Sequence, residues 1–514
     1  MISFYGLVTL PIAFAIFSYC MSRHRFKDHF HTSLSMLCSP FFYSTLFDPI
    51  LSKNDITNTV LDLKYLWVPK SGTIWLSVFH YVYLYMFVAS VVRIIIFLRR
   101  RLVYNWFWRC AVFLPSAIFS IFNLISCPIV VVFRILFVGQ FPRNWIPFVI
   151  FSPLALFCFF GYFQTIFIFE SNFHTIIGVG KKEVKHENED SQNNENYFPI
   201  LKNNSRRLSK KQAYKIVAKN KPKNTNFKWR ELKIIQIADP HIGPFMSIKE
   251  LYKICERSVQ RKPHLIFITG DMLTFESMNQ EGYEGLSYAL SPLQKMSGKV
   301  FACVGNSDYD CLEQIEEAYL ENDIILLKNN QYFVDLNFCK LQIVGIDHVN
   351  GQLVTNACNE IPRNPKVDLR IMLLHDPKEF QNIPPDDKSL ILSGHTHGGL
   401  LGLNFLGIRS SVSEISSVTQ NFYERGENLL YIHRGQGIYG WPMRTGSNGE
   451  KSMMHIHLLC NQNKLLKLST ETTDQYHMTN PDKTSKDNNK KNKKFLNTYE
   501  VDVFSDSDIS YSEN

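Results

Sequence analysis

The sequence predicts an α/β domain that follows an all-α region with several membrane-spanning helices. Between residues 231 and 460, short apolar strands alternate with segments whose apolar residues recur at helical spacing. Residues 1–170, by contrast, are crowded with Phe, Ile, Leu, Tyr and Trp, which is typical of membrane helices. Residues 461–514 are almost wholly polar, so we expect a disordered tail without a core.

The membrane prediction depends on apolar stretches that can cross a hydrocarbon layer of about 30 Å as helices. Four such stretches lie at 3–20, 73–97, 110–133 and 145–169, and a weaker one lies at 33–50. Basic clusters follow the first stretch and the stretch at 73–97, and both are cytoplasmic only if the weak stretch also crosses. We therefore expect about five transmembrane helices, an integral multi-pass protein and a cytosolic α/β domain. A cleaved signal peptide at the start is the alternative.

Residues 171–230 have the composition of a basic linker. Between Lys202 and Arg230 there are eleven Lys or Arg residues and no acidic residue, in a chain of net charge +9. Anionic lipids attract such a segment by about 1 kcal/mol per basic residue near the surface, so membrane lipids are the expected partner and nucleic acid is not. The eleven cysteines are scattered without a CxxC pair, which argues against a disulfide framework and for a reduced compartment.

In the α/β domain, five apolar strands each end in residues that can bind a metal ion. Because α/β sheets build their sites at the carboxyl ends of strands, we expect these residues to meet. The strands are Leu232–Ile237, Leu265–Thr269, Val300–Val304, Leu369–Leu374 and Leu390–Ser393. The candidate metal ligands that follow them are Asp239, His241, Asp271, Asn306, His375, His395 and His397.

This mixture of ligands suits the hydrolysis of phosphate esters or anhydrides. Two divalent ions about 3.5–4 Å apart can supply a hydroxide nucleophile at neutral pH and neutralise the phosphoryl oxygens. Such a pair needs one bridging carboxylate, for which Asp271 is the natural candidate, and other ligands that suit Mn, Fe or Zn. Asn306 offers a neutral oxygen, which limits negative charge near the substrate. A metal-dependent phosphoesterase with a phosphate-containing substrate is therefore predicted.

The order DxH, GD, GNxD, H and GHTH resembles the calcineurin-like metallophosphoesterase family. The GHTHGG element is similar to that of the family's transmembrane branch and of the YkuE-like bacterial enzymes. The segment Tyr431–Gly437 resembles the YxxRGxG element of the same branch. The resemblance covers about residues 230–460 and implies a two-sheet β-sandwich flanked by helices. It places Asp239, His241, Asp271 and His397 on one metal ion, and Asp271, Asn306, His375 and His395 on the other. His433 and Arg434 are candidate contacts for the substrate phosphate.

Asn306, Ser307 and Asp308 form the predicted catalytic segment, which departs from the family at Ser307. The family usually has a histidine there, which protonates the leaving group or holds the phosphate. Serine is a very poor acid near pH 7, so up to ~10²–10⁴-fold of acid assistance is lost. We therefore expect a preference for good leaving groups, with lipid-linked and nucleotide substrates both open. The alternative is a catalytically weak, metal-binding scaffold for a partner.

His455 and His457 alternate in the strand-like run MMHIHLL near the end of the domain. Alternate residues of a strand share one face. We interpret these histidines as structural residues rather than ligands.

Overall fold

The structure is a computed structural model, and every residue that it describes belongs to one unit that ends at Leu465. Residues beyond 461, including the predicted tail, lie outside the described part. The described residues are 74–98, 106–120, 122–123, 160–161, 164–165, 168–177, 207–219, 227–347, 351–399, 401–403, 408–410, 420–439 and 444–461.

Two six-stranded β-sheets form the α/β domain. The first has the order β1 (Ile168–Ile177), β14 (Gly449–Asn461), β2 (Phe227–Ile237), β3 (Leu265–Ile268), β4 (Val300–Ala302) and β5 (Ile325–Leu326). The second has the order β12 (Asn421–Arg425), β13 (Asn428–Ile432), β9 (Ser389–Ser393), β8 (Leu369–Leu374), β7 (Lys340–Ile346) and β6 (Asn330–Asp335). A separate pair joins β10 (Leu401–Leu403) to β11 (Ile408–Ser410).

The central strands of both sheets are parallel, from β2 to β5 in the first and from β7 through β8 and β9 to β13 in the second. Parallel strands are buried on both faces, which explains their nearly continuous apolar sequences. Their carboxyl ends reach the same edge of each sheet. The loops that carry the candidate ligands therefore start from neighbouring points.

One apolar core lies between the two sheets, and further cores lie under the helices on their outer faces. Phe267, Leu341 and Leu392 belong to the inner core. Helices α3 (Ile248–Gln260), α4 (Gln280–Leu290) and α5 (Leu312–Glu321) cover the first sheet, and α6 (Gly351–Glu360) covers the second. The predicted α/β sandwich flanked by helices is confirmed.

Helix α3 begins where its sequence predicts. The Ser247 hydroxyl accepts the backbone N–H of Glu250 at 3.2 Å, and the Glu250 carboxylate accepts the backbone N–H of Ser247 at 2.8 Å. This reciprocal capping box satisfies donors that the first helical turn would otherwise leave unpaired. It fixes the start of α3 directly after the loop that carries Asp239 and His241.

The multi-span membrane region predicted for residues 1–170 is wrong. A 25-residue helix, α1 (Ile74–Leu98), forms at the predicted stretch 73–97. Within the described ranges, however, no helix combines the length and the apolar character needed to span a bilayer. The integral multi-pass location that depended on this region is corrected with it. The stretches 3–20 and 33–50, and most of 145–169, lie outside the described residues.

One face of α1 contacts other parts of the chain, whereas Val82, Val88 and Ile95 on the same helix are about half exposed. Tyr83 donates a hydrogen bond to Asn123 at 2.6 Å, and the helix contacts the turn Phe275–Ser277 of the α/β domain. Arg93 near its end is only 5% exposed and is influenced by the charge of Glu276.

The predicted basic linker also contains folded elements. Residues 168–177 form β1 at the edge of the first sheet, and Lys210–Lys219 forms helix α2. Arg207 pairs with Glu450 of β14, and its guanidinium carbon lies 4.5 Å from the centre of the Phe173 ring. At least one charge of the basic stretch is therefore engaged within the protein. Attraction of the remaining charges to anionic lipids stays a prediction.

Candidate metal centre

Five of the seven predicted ligands adopt the left-handed backbone conformation. The φ angle is 49° at Asp239, 45° at His241, 58° at Asp271, 67° at His395 and 51° at His397. Among residues other than glycine, Asp, Asn and His enter this region most readily. Each such residue still costs on the order of 1–3 kcal/mol, so the surrounding sheets must hold these turns in place.

Glycines allow the ligand loops to approach each other closely. A Cβ atom at Gly305 would collide with Oδ1 of Asp271, and one at Gly394 would collide with Oδ2 of Asp239. Both glycines directly precede predicted ligands, in the GN and GH elements. Their role is to let the backbone of one loop pass against the carboxylate of another.

The ligand atoms fall into two groups, and the atoms within each group lie within 4.8 Å of one another. Each group draws on both sheets, because Asp239, His241 and Asp271 follow strands of the first sheet and the other members follow strands of the second. The groups are Asp239, His241 and His397, and Asp271, His375 and His395.

Asp271 connects the two groups. Its Oδ2 atom lies 3.4 Å from Nε2 of His241 and 3.3 Å from Nε2 of His375. The Nε2 atom of His375 is also 3.0 Å from Oδ1 of Asn306 and 3.2 Å from Nδ1 of His395. The structure thus brings all seven predicted ligands into one cluster of oxygen and nitrogen donors. Such donors suit borderline divalent cations such as Zn²⁺ and Mn²⁺.

Hydrogen bonds to atoms that do not face the metal position orient the ligand side chains. Nδ1 of His375 lies 2.6 Å from the carbonyl oxygen of Thr269, and Nδ1 of His397 lies 3.2 Å from that of Gly437. When Nδ1 donates to a carbonyl, Nε2 keeps its lone pair for a metal ion. The Oδ1 atoms of Asp239 and Asp271 accept backbone N–H groups, both at 2.8 Å.

One buried oxygen tests whether this cluster fits a cation. Oδ2 of Asp239 is inaccessible to solvent and has no hydrogen-bond partner among the described residues. An unpaired buried carboxylate oxygen is costly unless a charge compensates it. A divalent cation held by Asp239, His241 and His397 would satisfy this oxygen, so the residues present fit a metal centre.

Burial and close charges shift the protonation of the cluster. Burial raises the pKa of Asp239 to about 6, with a contribution from Asp271. Burial alone would also raise the pKa of Asp271, but His375 and His241 hold it well below its usual range. Burial would lower the pKa of His375, but Asp271 raises it to about 10. Because a cation must displace such protons, metal binding at this site releases them.

Asp308, predicted to be catalytic, holds two ligand loops together. Its side chain is fully buried, and its Oδ2 accepts the backbone N–H groups of Asp271 at 2.8 Å and Gly305 at 2.9 Å. Its Oδ1 accepts the N–H of Met272 at 2.8 Å. These hydrogen bonds position the two turns, and a catalytic role for Asp308 stays a prediction. Catalytic roles for Asn306 and Ser307 stay predictions, and the backbone N–H of Ser307 donates to Asp271 at 2.8 Å.

His433 and Arg434, predicted to contact the substrate, are engaged with neighbouring protein groups. His433 is fully buried, and its Nδ1 accepts the backbone N–H of Gly435 at 2.9 Å. Burial lowers the pKa of His433 to about 4, so the ring is neutral at pH 7. Nε of Arg434 donates to Oε2 of Glu450 at 3.2 Å. Substrate contact by either residue stays a prediction.

Sequence reasoning missed Arg444, which closes the loop after β13. Its fully buried guanidinium donates to the carbonyl oxygens of His397 at 2.7 Å, Arg434 at 2.9 Å and Gly437 at 2.6 Å. Tyr439, also missed, stacks on the His241 ring at 5.0 Å between centroids. Both lie in the glycine-rich stretch after Tyr431. A lone arginine in such a stretch is not distinguishable by sequence from an exposed one.

Glu450 predicts a pH-dependent contribution to stability. Burial alone would raise its pKa, but His433, Arg207 and Arg434 hold it far below the usual 4.5. A depressed carboxyl pKa stabilises the fold above the unfolded value, and this contribution is lost as pH falls through the folded value. For Glu450→Gln at pH 7 we expect the free energy of unfolding to fall by about 2–3 kcal/mol. The loss is smaller than for a fully buried ion pair, because the Arg207 and Arg434 side chains are 22% and 19% exposed.

Thermal unfolding of both proteins between pH 3 and pH 8 checks this prediction. The difference in unfolding midpoint between wild type and Glu450→Gln should be constant above about pH 5.5 and should narrow below 4.5. Glu427→Gln, on an exposed side chain, is the matched control and should unfold at the wild-type midpoint at each pH. A difference between wild type and Glu450→Gln that grows as the pH falls would contradict the low pKa of Glu450.

The fold and the ligand cluster are those of a metal-dependent phosphoesterase. Residues 232–399 match the family model described as Calcineurin-like phosphoesterase. The predicted family resemblance and the metal-dependent phosphoesterase class are therefore confirmed.

Three relatives resemble the same half of the chain. Phosphodiesterase YaeI of Escherichia coli is 27% identical over 230 residues, which are 44% of this chain and 82% of the relative. The uncharacterized metallophosphoesterase YkuE of Bacillus subtilis is 25% identical, over 41% of this chain and 74% of its own length. An uncharacterized metallophosphoesterase of Aquifex aeolicus is 29% identical, over 45% and 86%. Membership of the transmembrane or YkuE-like branch stays a prediction.

Proposed function

We propose that this domain hydrolyses phosphodiester or phosphoanhydride bonds with two divalent ions, of which Mn, Fe and Zn suit the ligands. The supporting observation is the position of a single oxygen, Oδ2 of Asp271, 3.4 Å from Nε2 of His241 and 3.3 Å from Nε2 of His375. One carboxylate oxygen thus serves both groups of ligands. The name of the Escherichia coli relative, a phosphodiesterase, favours a diester.

The residues of this chain hold and orient the reacting groups. Asp239, His241 and His397 would hold one ion, and Asn306, His375 and His395 the other, with Asp271 shared. When bound, the two ions supply a hydroxide nucleophile from water at neutral pH and neutralise charge on the phosphoryl oxygens. The carbonyl groups of Thr269 and Gly437 keep two of the imidazoles in the required tautomer.

The leaving group is the part of the reaction that this chain assists least. Ser307 follows Asn306 directly, and its side chain cannot donate a proton efficiently near pH 7. A leaving group that is already a stable anion, such as a phosphate or an aryl oxide, needs no such proton. Lipid-linked and nucleotide anhydrides both meet this requirement, and we propose substrates of this class.

Ser307→His tests the leaving-group proposal. We expect the substitution to raise kcat/KM on a simple alkyl phosphodiester by about 10-fold or more, because a histidine can donate a proton. On bis-p-nitrophenyl phosphate, whose leaving group needs little assistance, the gain should be smaller. Both rates are measured with Mn²⁺, and Ser307→Ala is the control for loss of the hydroxyl. Equal gains on the two substrates would contradict the proposal.

The alternative function is a metal-binding scaffold with weak catalysis, and Ser307 is the observation that favours it. A scaffold would bind metal ions at the same residues and would release no p-nitrophenol from bis-p-nitrophenyl phosphate. Assays with Mn²⁺, Fe²⁺ and Zn²⁺ separate the two functions. Absence of activity with every metal would favour the scaffold.

A further inference from the structure

A second cluster of potential ligands lies on the outer face of the first sheet, away from the catalytic edge. His174 on β1 pairs in register with His455 on β14, and His457 on β14 pairs with Glu231 on β2. Residues directly opposite each other on neighbouring strands share one face of a sheet. The three strands therefore bring three imidazoles and one carboxylate together.

The distances within this cluster are short. The His174 and His455 rings stack with centroids 4.4 Å apart, and Nδ1 of His455 lies 2.8 Å from Oε1 of Glu231. One ligand atom from each of His174, Glu231 and His455 lies within 4.8 Å of the others. In a tetrahedral zinc site with Zn–N distances of about 2.0–2.1 Å, ligand atoms lie roughly 3.4 Å apart. Small side-chain rotations would bring these atoms to that spacing.

The neighbours of the cluster orient its members. Nδ1 of His174 lies 3.0 Å from Nε2 of His457, which leaves Nε2 of His174 for another partner. Tyr214 of α2 packs its ring 5.3 Å from that of His457. Such supporting contacts are typical of ligands that are held in place for a metal ion.

The cluster is partly shielded from solvent, since His174 is only 4% exposed. A metal ion binds an imidazole through the lone pair of its neutral form.

We propose that His174, Glu231 and His455 form a third divalent metal site, suited to Zn²⁺, with His457 as the residue that positions His174. Two imidazoles and one carboxylate are a common set of protein ligands for this ion, and water would complete the shell. Glu231 precedes the last residue of β2 by six positions, which is roughly 20 Å at ~3.3 Å per residue. The site is therefore separate from the catalytic centre, and it would tie β1 and β14 to β2.

Metal stoichiometry of the untagged, full-length protein tests this inference. After equilibration with Zn²⁺ and removal of free metal, elemental analysis should give three ions per wild-type chain. The double variant His174→Gln and His455→Gln should retain two ions and full phosphoesterase activity. His264→Gln is the matched control, since this partly buried histidine directly before β3 accepts a backbone N–H from Lys233, and the variant should retain three ions.

Two further measurements distinguish loss of the third site from a folding defect and from loss of ions at the catalytic centre. Glu231→Gln preserves side-chain size and should weaken the third site at least ~10-fold in a Zn²⁺ titration. Asp271→Asn should lose ions from the catalytic centre only, and Zn²⁺ should still raise its unfolding temperature. Equal stoichiometry in wild type and double variant, or an Asp271→Asn protein that gains no stability from Zn²⁺, would overturn the third site while leaving the proposed phosphoesterase untouched.

Discussion

Asp271→Asn is expected to lower kcat/KM on bis-p-nitrophenyl phosphate with Mn²⁺ at least ~10³-fold, because charge stabilisation by bound metal ions contributes several kcal/mol. Asp271 is the carboxylate whose Oδ2 lies within 3.4 Å of ligands from both groups. An amide keeps its size and one acceptor oxygen but removes the negative charge between two cations. Metal content should fall with activity, whereas the backbone N–H of Ser307 keeps its acceptor.

The matched control is Asp323→Asn. Asp323 is an exposed residue with a φ of 53°, close to the 58° of Asp271, so both substitutions are made on the same backbone conformation. Only the Asp271 variant should lose activity. If Asp271→Asn keeps wild-type activity, Asp271 is not the bridging ligand. If the wild-type protein is itself inactive, the result favours the scaffold function.

Asp308→Ala is expected to lower the free energy of unfolding of the catalytic domain by about 3–6 kcal/mol, since each buried donor left without an acceptor costs about 1–3 kcal/mol. The carboxylate of Asp308 accepts three backbone N–H groups at 2.8–2.9 Å in a fully buried position. Alanine removes both acceptor oxygens and with them all three hydrogen bonds. The turn after β3 and the turn after β4 would then lose their common partner.

Urea unfolding monitored by tryptophan fluorescence measures this loss, and Asp308→Asn is the conservative comparison. The amide keeps one acceptor oxygen, so its loss should be about half that of alanine. Mn²⁺ affinity should weaken in the same order, because the turns carry Asp271 and Asn306. If Asp308→Ala instead unfolds like wild type but loses activity, Asp308 acts in the reaction and not in positioning.

The sequence was sufficient to place the ligand loops because strand ends are a local signal. Val300 to Val304 is apolar and is followed by a glycine, so the position of Asn306 after a strand depends on neighbours in the chain alone. Asp239 and His397 could be assigned to one group only through the family resemblance. Their contact joins loops of different sheets, and strand patterns do not determine how two sheets face each other.

The parts that could not be predicted depend on contacts between distant residues. The sequence does not show that Asp308 turns toward three backbone N–H groups, or that Arg444 turns toward buried carbonyls. The same limit applies to α1, because its contacts with the turn Phe275–Ser277 and with Asn123 join residues that are far apart in the chain. Likewise β1 lies about 50 residues before β2 and joins the sheet beside β14, a pairing that no local pattern indicates.

The division of each metal group between the two sheets makes metal supply a determinant of how long the folded protein survives. An ion that needs His397 together with Asp239 cannot be held by either sheet alone, so it binds the assembled sandwich and not a half-folded chain. Each bound ion therefore opposes separation of the sheets, by about 2.7 kcal/mol at a free concentration 100 times its Kd. In a metal-starved cell, proteolysis would remove the apo protein faster, and enzyme abundance would follow metal availability without any change in synthesis.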